Sequence, residues 1–392
     1  MRGMAWVAVL ASFGVACGAQ SDRVESTSVT VLTDVSESSY LADVLGGPAS
    51  RALLLPTDAG LLVVGGLEIG ESDELASVFD EAAVVHEDGS VAVPAPVPGG
   101  PVANLAGSAG DGRAYVAGTR CNSGTMGADD GSLACEPGEP VLLHLDLATL
   151  TWTELSLPAE APAPAGFLGD QQVYALADDT LVYTVEAADG GAAEGWVSTD
   201  GGREWERIAE APGWSCAAQG RLLAIDDRTE RPAAPEEGES EATITSDEVD
   251  ATLHLAVSIY DPAANRWGEP DDDAPQLSVV AGATSISCAP EQGVVAFVLT
   301  GGRAGAIIGY SPDGPDGGWS TREDPRGSRF MELLRSTDGL LLPQMGTEDL
   351  VRLEGGLGAE AETVPLPEGS TPIAGIGRSV LVVDGGVPRL EK

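Results

Sequence analysis

Carboxylates apart, side chains able to do chemistry are scarce in this 392-residue sequence. It holds three histidines, His86, His144 and His254, and five cysteines, Cys17, Cys121, Cys135, Cys216 and Cys288. No two cysteines have the C-x-x-C spacing of a zinc site or a dithiol redox pair, so structural disulfides are the chemistry four of them suggest. His86 and His144 each stand two residues before an aspartate, Asp88 and Asp146. A metal site needs three convergent ligands, and these histidines lie in separate segments, so they read as ordinary strand residues. GxSxG, HExxH, EF-hand and P-loop spacings are absent from the sequence. The abundant reactive group is the carboxylate, with 62 Asp and Glu against 20 Lys and Arg and a formal net charge of -42. Two carboxylates could serve a glycoside hydrolase, but in such excess no pair stands out.

That charge repels nucleic acid and anionic bilayers, which excludes function through basic patches; Lys392 is the single lysine. With 43% hydrophobic residues the chain can bury a sizeable core, and 51 glycines and 26 prolines favour many turns between short elements. Residues 4–16 form an apolar run behind Arg2, the pattern of an export signal and too short to span a bilayer. The run ends in Gly14-Val15-Ala16-Cys17, which resembles the lipobox of bacterial lipoproteins, with Gly14 where leucine is usual. The resemblance implies lipidation of Cys17, and Gly18 in place of an inner-membrane retention aspartate implies the outer membrane. The expected division is residues 1–17 as signal and lipidated cysteine, 18–27 as linker and 28–392 as one folded unit. Membrane contact is expected through the N-terminal lipid alone.

An apolar strand, a polar turn and a second apolar strand recur seven times, over residues 52–66, 104–119, 173–185, 214–227, 285–302, 331–344 and 372–386. The second strands start near Leu61, Ala114, Leu181, Leu222, Val294, Leu340 and Val380, a mean step of about 53 residues, the size of a four-stranded propeller blade. The expected fold is therefore all-β: a β-propeller of seven four-stranded blades. The last unit has room for only three strands before Lys392, so residues 28–33 (SVTVLT) are expected to supply the fourth and close the ring.

Aromatic spacing agrees. Leu145-Asp146 precedes Trp152 as Tyr260-Asp261 precedes Trp267, and the doublets Gly65-Gly66 and Gly301-Gly302 end second strands. This pattern resembles kelch-type blades. Ser198, Asp200, Gly202 and Trp205 match the Asp-box, S-x-D-x-G-x-x-W, of sialidase-like (BNR) propellers, and Ser311 to Trp319 is a degenerate second copy. In such a turn the Asp accepts backbone N–H groups, Gly supplies the unusual backbone angle and Trp packs between sheets. The resemblance implies a fold and no activity, since Asp-box turns lie away from the catalytic centre of sialidases. The Arg-Ile-Pro motif that announces a sialidase arginine triad does not occur.

Three connections between second and third strands are long: residues 67–77 with Glu71 and Asp73, 120–140 with Asp129 and Asp130, and 228–250 with Glu236, Glu237 and Asp247. Propeller geometry puts them on one face, which becomes acidic and suited to a divalent cation such as calcium or to a basic partner. Cys121 and Cys135 flank the second connection and are expected to staple it. Cys216 and Cys288 occupy matching places in the first strands of successive units and are expected to bridge them. The reading that follows is a monomeric, exported lipoprotein whose propeller binds an envelope protein, a glycan or a cation through its acidic face. The alternative is a propeller glycoside hydrolase acting on a neutral glycan.

Overall fold

A computed structural model describes residues 30–46, 52–65, 78–79, 81–110, 112–126, 133–162, 171–186, 193–209, 214–228, 250–289, 293–300, 305–312, 317–323, 333–344 and 349–392. The chain is a β-propeller, and its described strands fall into seven sheets. In the first sheet Leu53–Thr57, Gly60–Val64, Ala82–Val85 and Val91–Val93 follow one another outward from the centre. The second runs Val102–Gly110, Arg113–Met126, Leu133–Asp146 and Thr151–Leu155. The third runs Gln171–Ala175, Leu181–Val185, Glu194–Ser198 and Glu206–Arg207, and the fourth Trp214–Ala218, Arg221–Asp227, Leu255–Asp261 and Arg266–Trp267. The fifth runs Leu277–Ala289, Gly293–Thr300, Gly305–Ser311 and Gly318–Glu323. Leu340–Pro343, Leu350–Leu353 and Ala361–Val364 make the sixth, and Thr371–Ile376, Ser379–Asp384 and Val387–Glu391 the seventh, whose inner edge also takes the short parallel strand Arg335–Ser336. Each of the seven second strands expected from the repeat lies in a different sheet.

The burial pattern explains why those strands were so legible. Gly60–Val64 and Leu181–Val185 are buried at every position, because each sheet is packed on both faces by its neighbours. A strand covered on both faces reads as an unbroken apolar run rather than an alternation. Outermost strands have water on one side and carry the charges: Glu206–Arg207 is exposed throughout, and Ala361–Val364 nearly so. The third-to-fourth turns are built by aspartate. Asp146 accepts the N–H groups of Ala148 and Thr149, and Asp261 those of Ala263 and Ala264. Leu150 (φ 55°) and Asn265 (φ 47°) then turn the chain, bringing Trp152 opposite Leu145 and Trp267 opposite Tyr260.

Closure departs from expectation. Residues 28–33 were expected beside the last sheet, but β1 (Thr30–Leu32) adds to the outer edge of the first sheet, antiparallel to Val91–Val93, with Thr30 opposite Val93. The reason is the helix α1 (Ser39–Gly46) that follows it. The helix packs on Val387–Glu391 and occupies the outer side of the last sheet. Leu41, Val44 and Leu45 share one helical face and enter a cluster with Leu61, Val63 and Val91 of the first sheet and Ile376, Leu381 and Val383 of the seventh. The Tyr40 hydroxyl donates to the Gly65 carbonyl at 2.6 Å, tying the helix to the end of a second strand. A strand is unnecessary where an amphipathic helix fills the seam.

The second-to-third connections also differ from simple loops. Most of the segment 120–140 is a paired continuation of the hairpin, with Cys121 opposite Pro137 and Gly124 opposite Cys135. The first and third long connections return through short strands, Val78–Phe79 and Asp250–Leu253, which pair with the first strands of the next sheets at Val102–Ala103 and Leu277–Val280.

Leu41 is fully buried at the seam. Leu41→Ala is expected to cost about 2–5 kcal/mol in urea unfolding. It should also speed amide exchange in Val387–Glu391 more than in the third sheet.

Candidate functional site

First strands run alongside one another around the axis and enclose a cavity of about 1070 Å³ lined from all sheets but the sixth, with Leu333 and Arg335, which precede Leu340–Pro343, completing the wall. Small side chains make the room: Gly107, Ser108, Ala109, Ala217 and Ala218 stand on its wall. Gly107 also permits close contact between the first two sheets, since a Cβ there would fall within 3 Å of Leu53 and Leu55. Polar groups come from alternate strand positions. Ser215 Oγ donates to Tyr174 Oη at 2.7 Å, linking the fourth sheet to the third, and burial pushes the Tyr174 phenol up.

Beside Ser215, Cys216 is bonded to Cys288 with their Cα atoms 5.6 Å apart, the expected bridge between successive first strands. It closes a sequence separation of 72 residues, which in the chain-entropy account gives about 4 kcal/mol. The Cys288 carbonyl accepts a hydrogen bond from Arg335 Nη1 at 3.2 Å. Arg335 stands in the short strand Arg335–Ser336, parallel to Thr371–Ile376, and opens onto the cavity. The residue is exposed to the cavity, and although neighbouring protein lowers its pKa by desolvation, the guanidinium remains charged at any relevant pH.

Acidic lining groups are confined to the ends. Asp58, Glu87 and Asp338 sit on turns at the mouth reached by the first-to-second and third-to-fourth turns, and Glu186 follows a second strand at the opposite mouth. The first strands contribute no Asp or Glu to the described wall. Arg113, the other arginine lining the cavity, is paired with Asp179.

Ser198, Asp200, Gly202 and Trp205 build a closed turn outside this cavity. Asp200 Oδ1 accepts the N–H groups of Arg203 and Glu204, each at 3.0 Å, and the Ser198 hydroxyl at 2.8 Å. Those bonds from the Glu204 and Ser198 groups foremost hold the Asp200 carboxyl below its ordinary pKa. Gly202 has φ 89° and donates its N–H to Ser198 Oγ. Trp205 Nε1 donates to the Ser156 carbonyl at 2.8 Å and its ring meets Tyr183 edge-on, so the turn fastens the third sheet to the second. Of the degenerate copy, Trp319 meets Tyr310 edge-on and donates to Asp271, while Asp313 lies outside the described residues.

The histidines stay apart. His86 Nδ1 lies 2.6 Å from the Ala59 carbonyl, and His144 stacks on Tyr115 with centroids 5.3 Å apart. Burial, then the charge of Arg113, pushes the His144 imidazole down. His254 contributes its carbonyl to the N–H of Arg228. No group of three metal-ligating side chains occurs among the described residues. Glu71, Asp73, Asp129, Asp130, Glu236, Glu237 and Asp247 lie outside the described residues, as does Cys17, and so do the side chains of Cys121 and Cys135. Sequence reasoning missed Arg335, Tyr174 and Ser215. Their signal was available: each precedes an apolar second strand, within a unit the repeat had already marked out.

No protein-family model and no curated protein matches the chain. Among solved structures, a GH43 β-xylosidase/α-arabinofuranosidase from a compost microbial metagenome is similar at 11% identity and TM-score 0.31, over 67% of this chain and 94% of that one. A GH130 structure, from a family described as mannoside phosphorylases containing hydrolases of β-1,2-mannosidic linkages in Candida mannan, is similar at 10% identity and TM-score 0.28, over 77% and 96%. A GH74 xyloglucanase from Xanthomonas campestris is similar at 15% identity and TM-score 0.23, over 80% of this chain and 51% of that one. No residue role is carried over from them.

The Asp200 turn gives a signed pH expectation. A carboxyl whose folded pKa is depressed stabilises the fold above its unfolded value near 3.9, and that stability is lost as pH falls through the folded value. Asp200→Ala should therefore melt below the parent at pH 7, and the difference in Tm should shrink on acidification below about pH 4.

Proposed function

We propose that the chain is an exported lipoprotein, anchored through Cys17 in the outer membrane, whose propeller binds a ligand without transforming it. The second-to-third connections would form the recognition face. Their acidic residues would take a divalent cation such as calcium, an envelope protein with a basic surface, or a glycan. The observation that carries binding over catalysis is the composition of the cavity wall. Glycoside hydrolysis needs two carboxylates flanking one bond, and the described first strands bring none to the wall. Rigid sheets carrying long connections on one side suit recognition instead.

A second reading keeps one specific support. Asp58, Glu87 and Asp338 lie on turns at a single mouth, where two of them could flank a neutral glycan. Hydrolysis there would need one of the pair protonated and one ionised.

The readings separate in one experiment on the chain from residue 18 onward, using a thermal-shift panel of calcium, magnesium and neutral glycans followed by a reducing-sugar assay. Binding predicts a rise in Tm without turnover, equivalent to about 2.7 kcal/mol at a hundredfold excess over Kd. Reducing-sugar release that Glu87→Gln or Asp338→Asn abolishes would overturn it. If the acidic face carries the contact, association of a basic partner should slow steeply between low and physiological salt. Separately, Cys17→Ser in the full chain should move the protein from the membrane fraction to the soluble fraction.

A further inference from the structure

Among the described arginines, most are matched with carboxylates, as 62 acidic residues would lead one to expect. Arg113 has Asp179, Arg120 has Glu154, Arg207 has Glu194, Arg378 has Glu354 and Arg389 has Asp384. Arg335 differs. It faces the central cavity, and among the described residues it bonds one backbone carbonyl and no carboxylate. A guanidinium has five donors in a planar fork, and among the described residues only the Cys288 carbonyl accepts from this one.

The neighbourhood is built rather than incidental. Cys288 supplies the carbonyl that aims Arg335, and its bond to Cys216 fixes that strand against the fourth sheet. Ile286 and Cys288 pack toward the fourth sheet, so Ser287 between them faces the opposite way, toward the segment holding Arg335. Ser287 lines the cavity, and its hydroxyl makes no hydrogen bond among the described residues. Farther round the wall, Tyr174 and Ser215 add a hydroxyl pair.

We propose that the central cavity binds a small molecule through one carboxylate, held by Arg335 with Ser287 as a second donor. A guanidinium fork matches the two oxygens of a carboxylate, and such a charge-assisted pair is roughly twice as strong as a neutral hydrogen bond. The net charge of -42 does not cancel this, because carboxylates more than about 8 Å away are largely screened at physiological salt. It does set the class. Asp58, Glu87 and Asp338 at one mouth and Glu186 at the other disfavour polyanions, so the ligand carries a single negative charge on a neutral body. This site does not depend on the acidic loop face, and either can fail alone.

The test is isothermal titration of the chain from residue 18 onward with glucuronate, hexanoate, glucose and citrate, in the parent and in Arg335→Gln, Arg335→Lys and Ser287→Ala. Saturable binding of glucuronate or hexanoate, with glucose silent and citrate weaker, is the expected result. Glucuronate alone would identify a hydroxylated acid and hexanoate alone an aliphatic one, both within the proposal. Arg335→Gln should weaken binding at least tenfold, Arg335→Lys less, and Ser287→Ala severalfold with an unchanged Tm. If Arg335→Gln does not fold, the Arg335→Lys and Ser287→Ala losses decide. No binding of either monocarboxylate, binding equal in all variants, or citrate as the tightest ligand would overturn the proposal.

Discussion

In this fold each sheet must bury both of its faces, and a sheet can do so only between two others. That requirement is local everywhere except at one place, where the first and last sheets must find each other across the whole length of the chain. The cluster joining Leu41, Val44 and Leu45 of α1 to Leu61, Val63, Leu381 and Val383 is where it is met. Elsewhere, neighbours in space are neighbours in sequence, and fastenings such as Trp205 to Ser156 or Cys216 to Cys288 reinforce contacts that short connections already impose. At the seam, helix burial must supply the closure unaided by a connecting turn.

The same lateral packing explains the character of the centre. First strands converge there, and side chains as small as those of Gly107 and Ala217 let them approach while leaving a cavity. Polar groups on this wall are held from behind: Tyr174 by Ser215, Arg335 by the Cys288 carbonyl. Among the described residues, the carboxylates that line the cavity stand at its two mouths. In a chain this acidic, first strands that bring no described carboxylate to the wall are a departure from composition, and among the described residues Arg335 has none as a partner.

How much of this could be read from the sequence follows from the physics of each part. Second strands such as Leu181–Val185 were legible because burial on both faces writes an uninterrupted apolar run. The turn at Ser198–Trp205 was legible because each residue has one task set by backbone geometry. The seam was not, because SVTVLT has strand character wherever it docks, and its place is decided by where α1 buries Leu41. Connections long in sequence were read as loops, although 120–126 and 133–140 pair as a hairpin; polar composition hides pairing that only the partner strand reveals. Arg335 was overlooked because the sequence shows a charge and not the groups that surround it.

The direction of β1 also has a bearing on how the molecule would stand on a surface. Because Thr30 lies opposite Val93, at the end of an outer strand that leads to the next sheet, the chain enters the propeller from the side of the second-to-third connections. A lipid at Cys17 would sit thirteen residues upstream, on a leash of at most about 45 Å. Such a tether would attach on the side of the long connections, opposite the mouth bearing Asp58, Glu87 and Asp338. The point of attachment and the mouth with the three carboxylates would then lie at opposite ends of the axis, so a lipid anchor would leave that mouth free of its own tether.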